Sequence, residues 1–420
     1  MPGQSTSHRT HDESAAEIDL LSHHVLRDPY PTYRRLRDHD PVHWDTKLNG
    51  WIISRYEDVY GALRDPGRFS SVRLAQMIDG RVPEEAKPIA EPFITVASQW
   101  SWMNDPPHHT KLRRLMNRAF TPRSVSGMEE HIAETVETLL APHLESDRLD
   151  LVPTLGYPLP AYVLADYYGI PRADADRLKG WSDAMKVFVG GSPDLGATAA
   201  PAAAAIDEMM RYFTEAVNER RKEPRDDLIS RLVHAEDRGD LLSQDEVVAQ
   251  VVLVLAAAFV TTMDMIGNGT LALLSNRDQW ERLAADPALL DTAIDELLRY
   301  DGPVQLTHRR VTEDIELHGT RISEGDIVYL IRGAANRDPD QFPDPDRLDV
   351  GREGVEHVAF GAGIHYCLGA ALARLEGRLL IGALLRYFPG MRLDEERPHE
   401  WRADSLQFRG LRSLPVRTGR

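Results

Sequence analysis

The chain has 420 residues, a formal net charge of −17 and a single cysteine, Cys367. An acidic balance of this size disfavours nucleic acid as a partner, and one cysteine excludes both an internal disulfide and a cysteine-held iron–sulfur cluster. Length alone gives a prior of about two or three domains, yet no Gly/Ser-rich or Pro-rich linker and no internal repeat divides the chain.

Residues 1–17 are Ser/Thr/His-rich without an apolar core and read as a disordered tail, neither signal peptide nor membrane anchor. Val42 to Asp45 and Trp51 to Ser54 flank a Lys-Leu-Asn-Gly turn and predict a hairpin. Pro201 followed by Ile206, Met210, Phe213 and Val217 predicts a helix that starts at the proline and buries one stripe. Ser243-Gln244-Asp245-Glu246 fits a capping box. The helix behind it runs to about Leu274 and, being apolar nearly all round, must be central. Its unbroken apolar run, Val251 to Val260, is too short to span a bilayer, so the chain is expected to be soluble, without a membrane partner, and cytoplasmic. Glu296 and Arg299 stand one turn apart and can pair. Ile315 to Leu317 and Ile327 to Ile331 predict a second strand pair, leading into a Pro/Asp-rich loop from Asn336 to Arg352. Leu368, Leu372, Leu375 and Leu379 fall at helical spacing in a closing helix that reaches Tyr387.

Cys367 lies where a glycine-rich turn, Phe360-Gly361-Ala362-Gly363-Ile364-His365-Tyr366-Cys367-Leu368-Gly369, runs into that closing helix. Its glycines allow positive φ and close backbone approach to something flat. Free amide N–H groups at a helix N-terminus favour a thiolate, the form in which sulfur ligates a metal.

This run resembles the cysteine-ligand loop of the haem-thiolate monooxygenases, the cytochrome P-450 family, whose pattern is Phe-x-x-Gly-x-x-x-Cys-x-Gly; Phe360, Gly363, Cys367 and Gly369 occupy its four fixed positions. The resemblance covers nearly the whole chain. It implies a mainly α fold with small β-sheet regions, residues 18–420 as one domain, and haem b between the long central helix and the loop, with Cys367 as the iron ligand. Glu296 and Arg299 match the family's Glu-x-x-Arg element, with Arg347 as the third member of a structural network. For the haem propionates the resemblance implies His109 and Arg113 in Asp105-Pro106-Pro107-His108-His109-Thr110-Lys111-Leu112-Arg113, then Arg309, then His365. His308 and Arg310 compete with Arg309 but sit at the wrong offsets.

The central helix departs from the family pattern, which carries an acid and an alcohol that relay protons to the oxygen site. Here the stretch is Ala257-Ala258-Phe259-Val260-Thr261-Thr262, with Val260 in the acid's place. Thr261 can bond back to the preceding turn and open the helix locally, and Asp264, one turn beyond Val260, is the candidate replacement carboxylate. Substrate contacts are expected from Ser71 to Trp102, where Phe93, Trp100 and Trp102 cluster, from Lys186 to Val189, Val304 to Leu306 and Leu406 to Phe408. An apolar pocket with a few polar groups fits a mid-sized organic molecule. Oxidation by dioxygen, as hydroxylation or epoxidation, requires electrons from outside the chain. The resemblance implies a ferredoxin and ferredoxin reductase, with Arg113, Arg114, Arg374 and Arg378 as a docking patch. The missing acid leaves two other outcomes open, oxidative coupling or cyclisation on the same haem, and a haem protein that only binds gas.

Overall fold

The computed structural model describes residues 18–73, 82–189, 195–237 and 240–419; the tail expected over residues 1–17 lies outside them. Helices dominate, as expected, and the strands form five small sheets among the described residues. Strands β1 (Val42–Asp45) and β2 (Gly50–Ile53) form the expected hairpin, with Trp44 opposite Trp51. Helix α1 (Tyr56–Arg64) and the short β3 (Phe69–Ser70) follow. Two strands from far along the chain, β4 (Leu306–Val311) and β5 (Ile327–Ile331), complete a five-stranded sheet in the order β1-β2-β5-β4-β3.

That arrangement corrects one expectation. Ile327–Ile331 does not pair with Ile315–Leu317. It runs parallel to β2 and antiparallel to β4, while Ile315–Leu317 pairs with Thr320–Ile322. Burial decides the placement: Ile-Val-Tyr-Leu-Ile is apolar on both faces and takes an interior position, whereas Ile315–Leu317 stays partly exposed in its own hairpin.

The helices that frame the site are α2 (Lys87–Ala97), α3 (His108–Ala119), α4 (Ala175–Val189), α5 (Leu195–Lys222), α6 (Gln244–Ser275), α7 (Leu290–Asp301) and α8 (Ala370–Tyr387). The capping box on α6 is present in both directions: the Glu246 amide donates to Ser243 Oγ at 3.1 Å and the Ser243 amide to Glu246 Oε2 at 2.8 Å. Lys111 of α3 also reaches Glu246, at 3.0 Å, so the cap ties the two helices together. Among the described residues α6 alone is long and apolar enough to cross a membrane, but 72% of its most apolar window is buried within the protein. Packing against α4, α5, α7 and α8 accounts for that burial.

Pro201 does not start α5; it lies inside it, after the helix has already begun at Leu195. The expected buried stripe is nonetheless present in Ile206, Phe213 and Val217, while Met210 is only partly buried and Met209 takes its place in the core.

Candidate active site

The loop before α8 is seated on α1. The Cys367 amide donates to the Phe360 carbonyl at 3.0 Å and closes the turn. Gly363 has φ 66°, and a Cβ there would lie 2.6 Å from the Leu63 carbonyl oxygen at the end of α1. Glycine at 363 is therefore demanded by protein packing, not by a cofactor. Gly369 is the opposite case: its φ is −87° and a Cβ there would meet nothing within 4 Å. Its surroundings leave room for a flat group.

Cys367 is solvent-exposed by area although protein surrounds it closely, so it stands in a cleft. Burial pushes its thiol up, opposed by the Gly369 amide and by the guanidinium groups of Arg113, Arg332 and Arg374. The field expected from the helix start is present, but burial outweighs it. Arg374 also stands over the Phe360 ring at 4.6 Å and donates to Asp295 at 2.7 Å.

Behind the loop, Glu296 and Arg299 on α7 are fully buried and joined twice, at 2.6 and 2.8 Å. Arg299 further grips the Asn336 and Pro345 carbonyls at 2.9 and 2.8 Å. The third member corrects the expectation. Arg347 contributes its carbonyl oxygen to Arg299, at 3.3 Å, and the cation beside Glu296 is Arg352, at 3.2 Å.

The expected propionate donors converge from three segments. His109 and His365 face each other with ring centroids 4.3 Å apart, and His365 Nε2 lies 3.0 Å from Ser71 Oγ. Arg113 donates to the Tyr366 carbonyl at 2.6 Å. Arg309 is buried on β4 and His308, its neighbour, turns to the opposite side against Tyr329. Arg310 is only partly buried and reaches the Val72 carbonyl. Two buried cations that the motifs did not flag join the group, Arg73 and Arg332.

These cations repel one another. Burial and the neighbouring Arg309, His109, Arg73 and Arg113 push His365 down to about 2. Burial lowers Arg309 and Arg332 to about 10, and it holds Arg73 well below its usual value. Asp105 is the carboxylate set against Arg73 and Arg309, and it already accepts from Ser70 and from the Ser71 amide. His109 Nδ1, Arg73 Nε and Arg332 Nε are buried without hydrogen-bond partners. A buried excess of positive charge with unmade hydrogen bonds calls for an anionic group, and the two propionates of haem b fit it.

On α6, Thr261 Oγ1 donates to the Ala257 carbonyl at 2.7 Å, the expected back-bond. Val260 is buried. Asp264 is not a free relay acid: it is wholly buried in an ion pair with Arg402. Burial pushes it up to about 6 against the pull of Arg402 and Lys186. Of the expected substrate segments, residues 74–81 lie outside the described residues. The others meet: Val304 bridges Phe408, the Gln305 amide donates to the Gln407 carbonyl at 2.8 Å, and Phe93 packs on Phe188 at 5.0 Å and on Trp100 at 5.6 Å.

Arg73 escaped sequence reading because it lies outside any motif, and its only signal is a charge between two apolar stretches. Arg332 carried a clearer one, an arginine caught between the apolar strand β5 and a run of small residues.

The family model described as Cytochrome P450 matches residues 193–400. Cytochrome P450 107B1 of Saccharopolyspora erythraea is 40% identical over 94% of this chain and 96% of its own length. The Vitamin D(3) 25-hydroxylase of Pseudonocardia autotrophica is 39% identical over 96% of each chain. The solved cytochrome P450 PksS of the Bacillus subtilis bacillaene polyketide synthase superposes with a TM-score of 0.86 at 33% identity, covering 96% of this chain and all of that one. Likeness that extends over the length of the chain, joined to a buried cationic ring around a cysteine loop, establishes that this chain belongs to the cytochrome P450 family and is a haem b monooxygenase.

Proposed function

We propose that this enzyme hydroxylates or epoxidises a mid-sized, largely apolar molecule of secondary metabolism. The observation that carries the site assignment is the group of buried cations beside the exposed Cys367, with Asp105 as the carboxylate set against Arg73 and Arg309. Bound haem b, ligated by a thiolate that pushes electron density toward the iron, supplies the oxidising power for an unactivated C–H bond. The residues of the chain bind, orient and shelter. Cys367 would hold the iron, with Phe360 and Arg374 covering its outer side. His109, Arg113, Arg309 and His365 would hold the propionates, helped by Arg73 and Arg332, through charge-assisted hydrogen bonds. Thr261, with its hydroxyl proton committed to the Ala257 carbonyl, presents an acceptor oxygen toward the cleft and would hold a water or the substrate there. Phe93, Phe188 and Trp100 exclude solvent.

Relatives whose names mention vitamin D(3) hydroxylation and polyketide biosynthesis support a substrate of that size and character. Electrons would come from a ferredoxin and its reductase in the cytoplasm, and residues 18–420 would work as one unit. A second reading, oxidative coupling or cyclisation, is favoured by one observation: Val260 cannot donate a proton and Asp264 is engaged by Arg402.

The test has two arms. Cys367→His should abolish the strongly red-shifted Soret band of the ferrous carbon monoxide complex; its retention overturns the ligand assignment. Turnover under isotopically labelled dioxygen, on a panel of macrolides and secosteroids, should place label in the product. An unlabelled, dehydrogenated or ring-closed product selects the coupling reading.

A further inference from the structure

Four charged side chains from three separate parts of the fold meet, and none of them is among the residues assigned to the haem. Lys186, on α4, is almost wholly buried and its Nζ lies 3.3 Å from Asp404 Oδ1. Asp404 and Arg402 belong to the segment that follows the short strand Glu400–Trp401. Arg402 pairs with Asp264 of α6, and Lys186 feels both members of that pair.

The segment they hold is a loop. Its neck is closed by the Arg402 amide donating to the Gly410 carbonyl at 2.9 Å, and its tip carries the buried Phe408, bridged to Val304, while Leu406 anchors the loop in the core with Leu20, Val25 and Tyr33. Gly410 is what lets the carboxylate in: a Cβ at that position would collide with the Asp264 carboxyl group. The loop is therefore gripped at its neck by the central helix and on its shoulder by α4. Asp264 Oδ2 and Arg402 Nε make no hydrogen bond of their own, so the neck pair depends on the nearby Lys186 charge. A buried ammonium beside Arg402 depends in turn on its two carboxylates.

We propose that Asp264 and Lys186 are positioning residues for substrate recognition. Asp264 fixes the loop that presents Phe408, and the Lys186–Asp404 contact makes the loop's shape conditional on the position of α4. Which molecules enter, and how fast they leave, then depends on this chain of charges. The inference rests on reading the loop tip as a substrate contact of the haem site proposed above.

The experiment follows binding of two azole probes to the haem-loaded full chain by rapid-mixing absorbance: 4-phenylimidazole, whose phenyl ring occupies the substrate side, and imidazole, which lacks that ring. The ferrous carbon monoxide band of the unsubstituted enzyme is recorded first. Its absence there refutes the haem-thiolate reading itself, whereas its presence leaves the azole rates to judge the loop alone. Asp404→Asn, at a partly exposed position, and Lys186→Gln should each raise both the association and the dissociation rate of 4-phenylimidazole about tenfold, with imidazole unchanged. The charge-swapped pair K186D/D404K should return the rates toward those of the unsubstituted enzyme. Unchanged 4-phenylimidazole rates in both single variants, or equal changes for the two probes, overturn the proposal.

Discussion

Glu376, on the α8 face that turns inward, is buried with its Oε2 atom lacking any partner, and burial alone pushes its carboxyl up to about 8. A folded-state acid that holds its proton above the unfolded value of 4.5 binds more protons than the unfolded chain between those two pH values. Stability is therefore lost as pH rises through that window, at about 1.4 kcal/mol per unit for this one group. Glu376→Gln should match the unsubstituted enzyme near pH 4.5 and exceed it at pH 8, as read from denaturant midpoints at the two pH values. Thr261 permits a second single-residue prediction. Its hydroxyl is the polar group that the back-bond holds at the cleft, so Thr261→Ala should leave haem binding intact and raise the hydrogen peroxide released per reduced cofactor consumed. Unchanged coupling would remove Thr261 from the proton path. Neither residue's environment could be read from sequence alone. Thr261 was identifiable by its place in an apolar helix, but Glu376 looks like any acid in an amphipathic helix until packing shows that nothing answers it.

At the scale of elements, the network under α7 joins a fully buried carboxylate to a fully buried guanidinium, so removing one partner strands the other. Arg299→Ala leaves Glu296, wholly buried, with the Asp349 amide and the single contact from Arg352, and should cost about 3–5 kcal/mol. Arg352→Gln, toward the edge of the same cluster, should cost about 1 kcal/mol, nearer to an exposed pair. Denaturant titration of both variants, with haem retention as a second readout, checks the order. Local signals at this scale were legible. The capping box of α6 and the hairpin of β1 and β2 depend on residues a few positions apart, and both form as their sequences require. Signals that depend on distant partners were not. Strand β5 chose β2 and β4 over its near neighbour because only an interior position could cover both of its faces. Arg352 replaced Arg347 beside Glu296 because the loop between them folds back on itself, which spacing does not encode. Pro201 reads as a helix start, yet α5 already extends before it.

For the whole molecule, the ferredoxin proposed above would need a basic docking face on a chain of net charge −17. The face expected from Arg113, Arg114, Arg374 and Arg378 is largely committed within the protein. Arg378 contacts Glu129 at 2.6 Å and Asp291 at 3.6 Å, and Arg374 is drawn inward by Asp295. Arg378→Glu should slow ferredoxin-supported turnover, and Asp291→Asn should quicken it. Both effects should shrink as ionic strength rises, while peroxide-supported turnover stays constant. Steady-state rates at two salt concentrations decide it. The haem pocket carries the same tension further, because Arg73, Arg309 and Arg332 are sealed in the interior with too few acids to balance them. A newly made chain meets that repulsion before the porphyrin arrives, so cofactor capture doubles as charge neutralisation and a late step of folding. Inorganic sulfate or phosphate should compete with the propionates for these cations. Haem added to the chain in those salts should therefore load more slowly than in a chloride buffer of low ionic strength, as read from the growth of the Soret band.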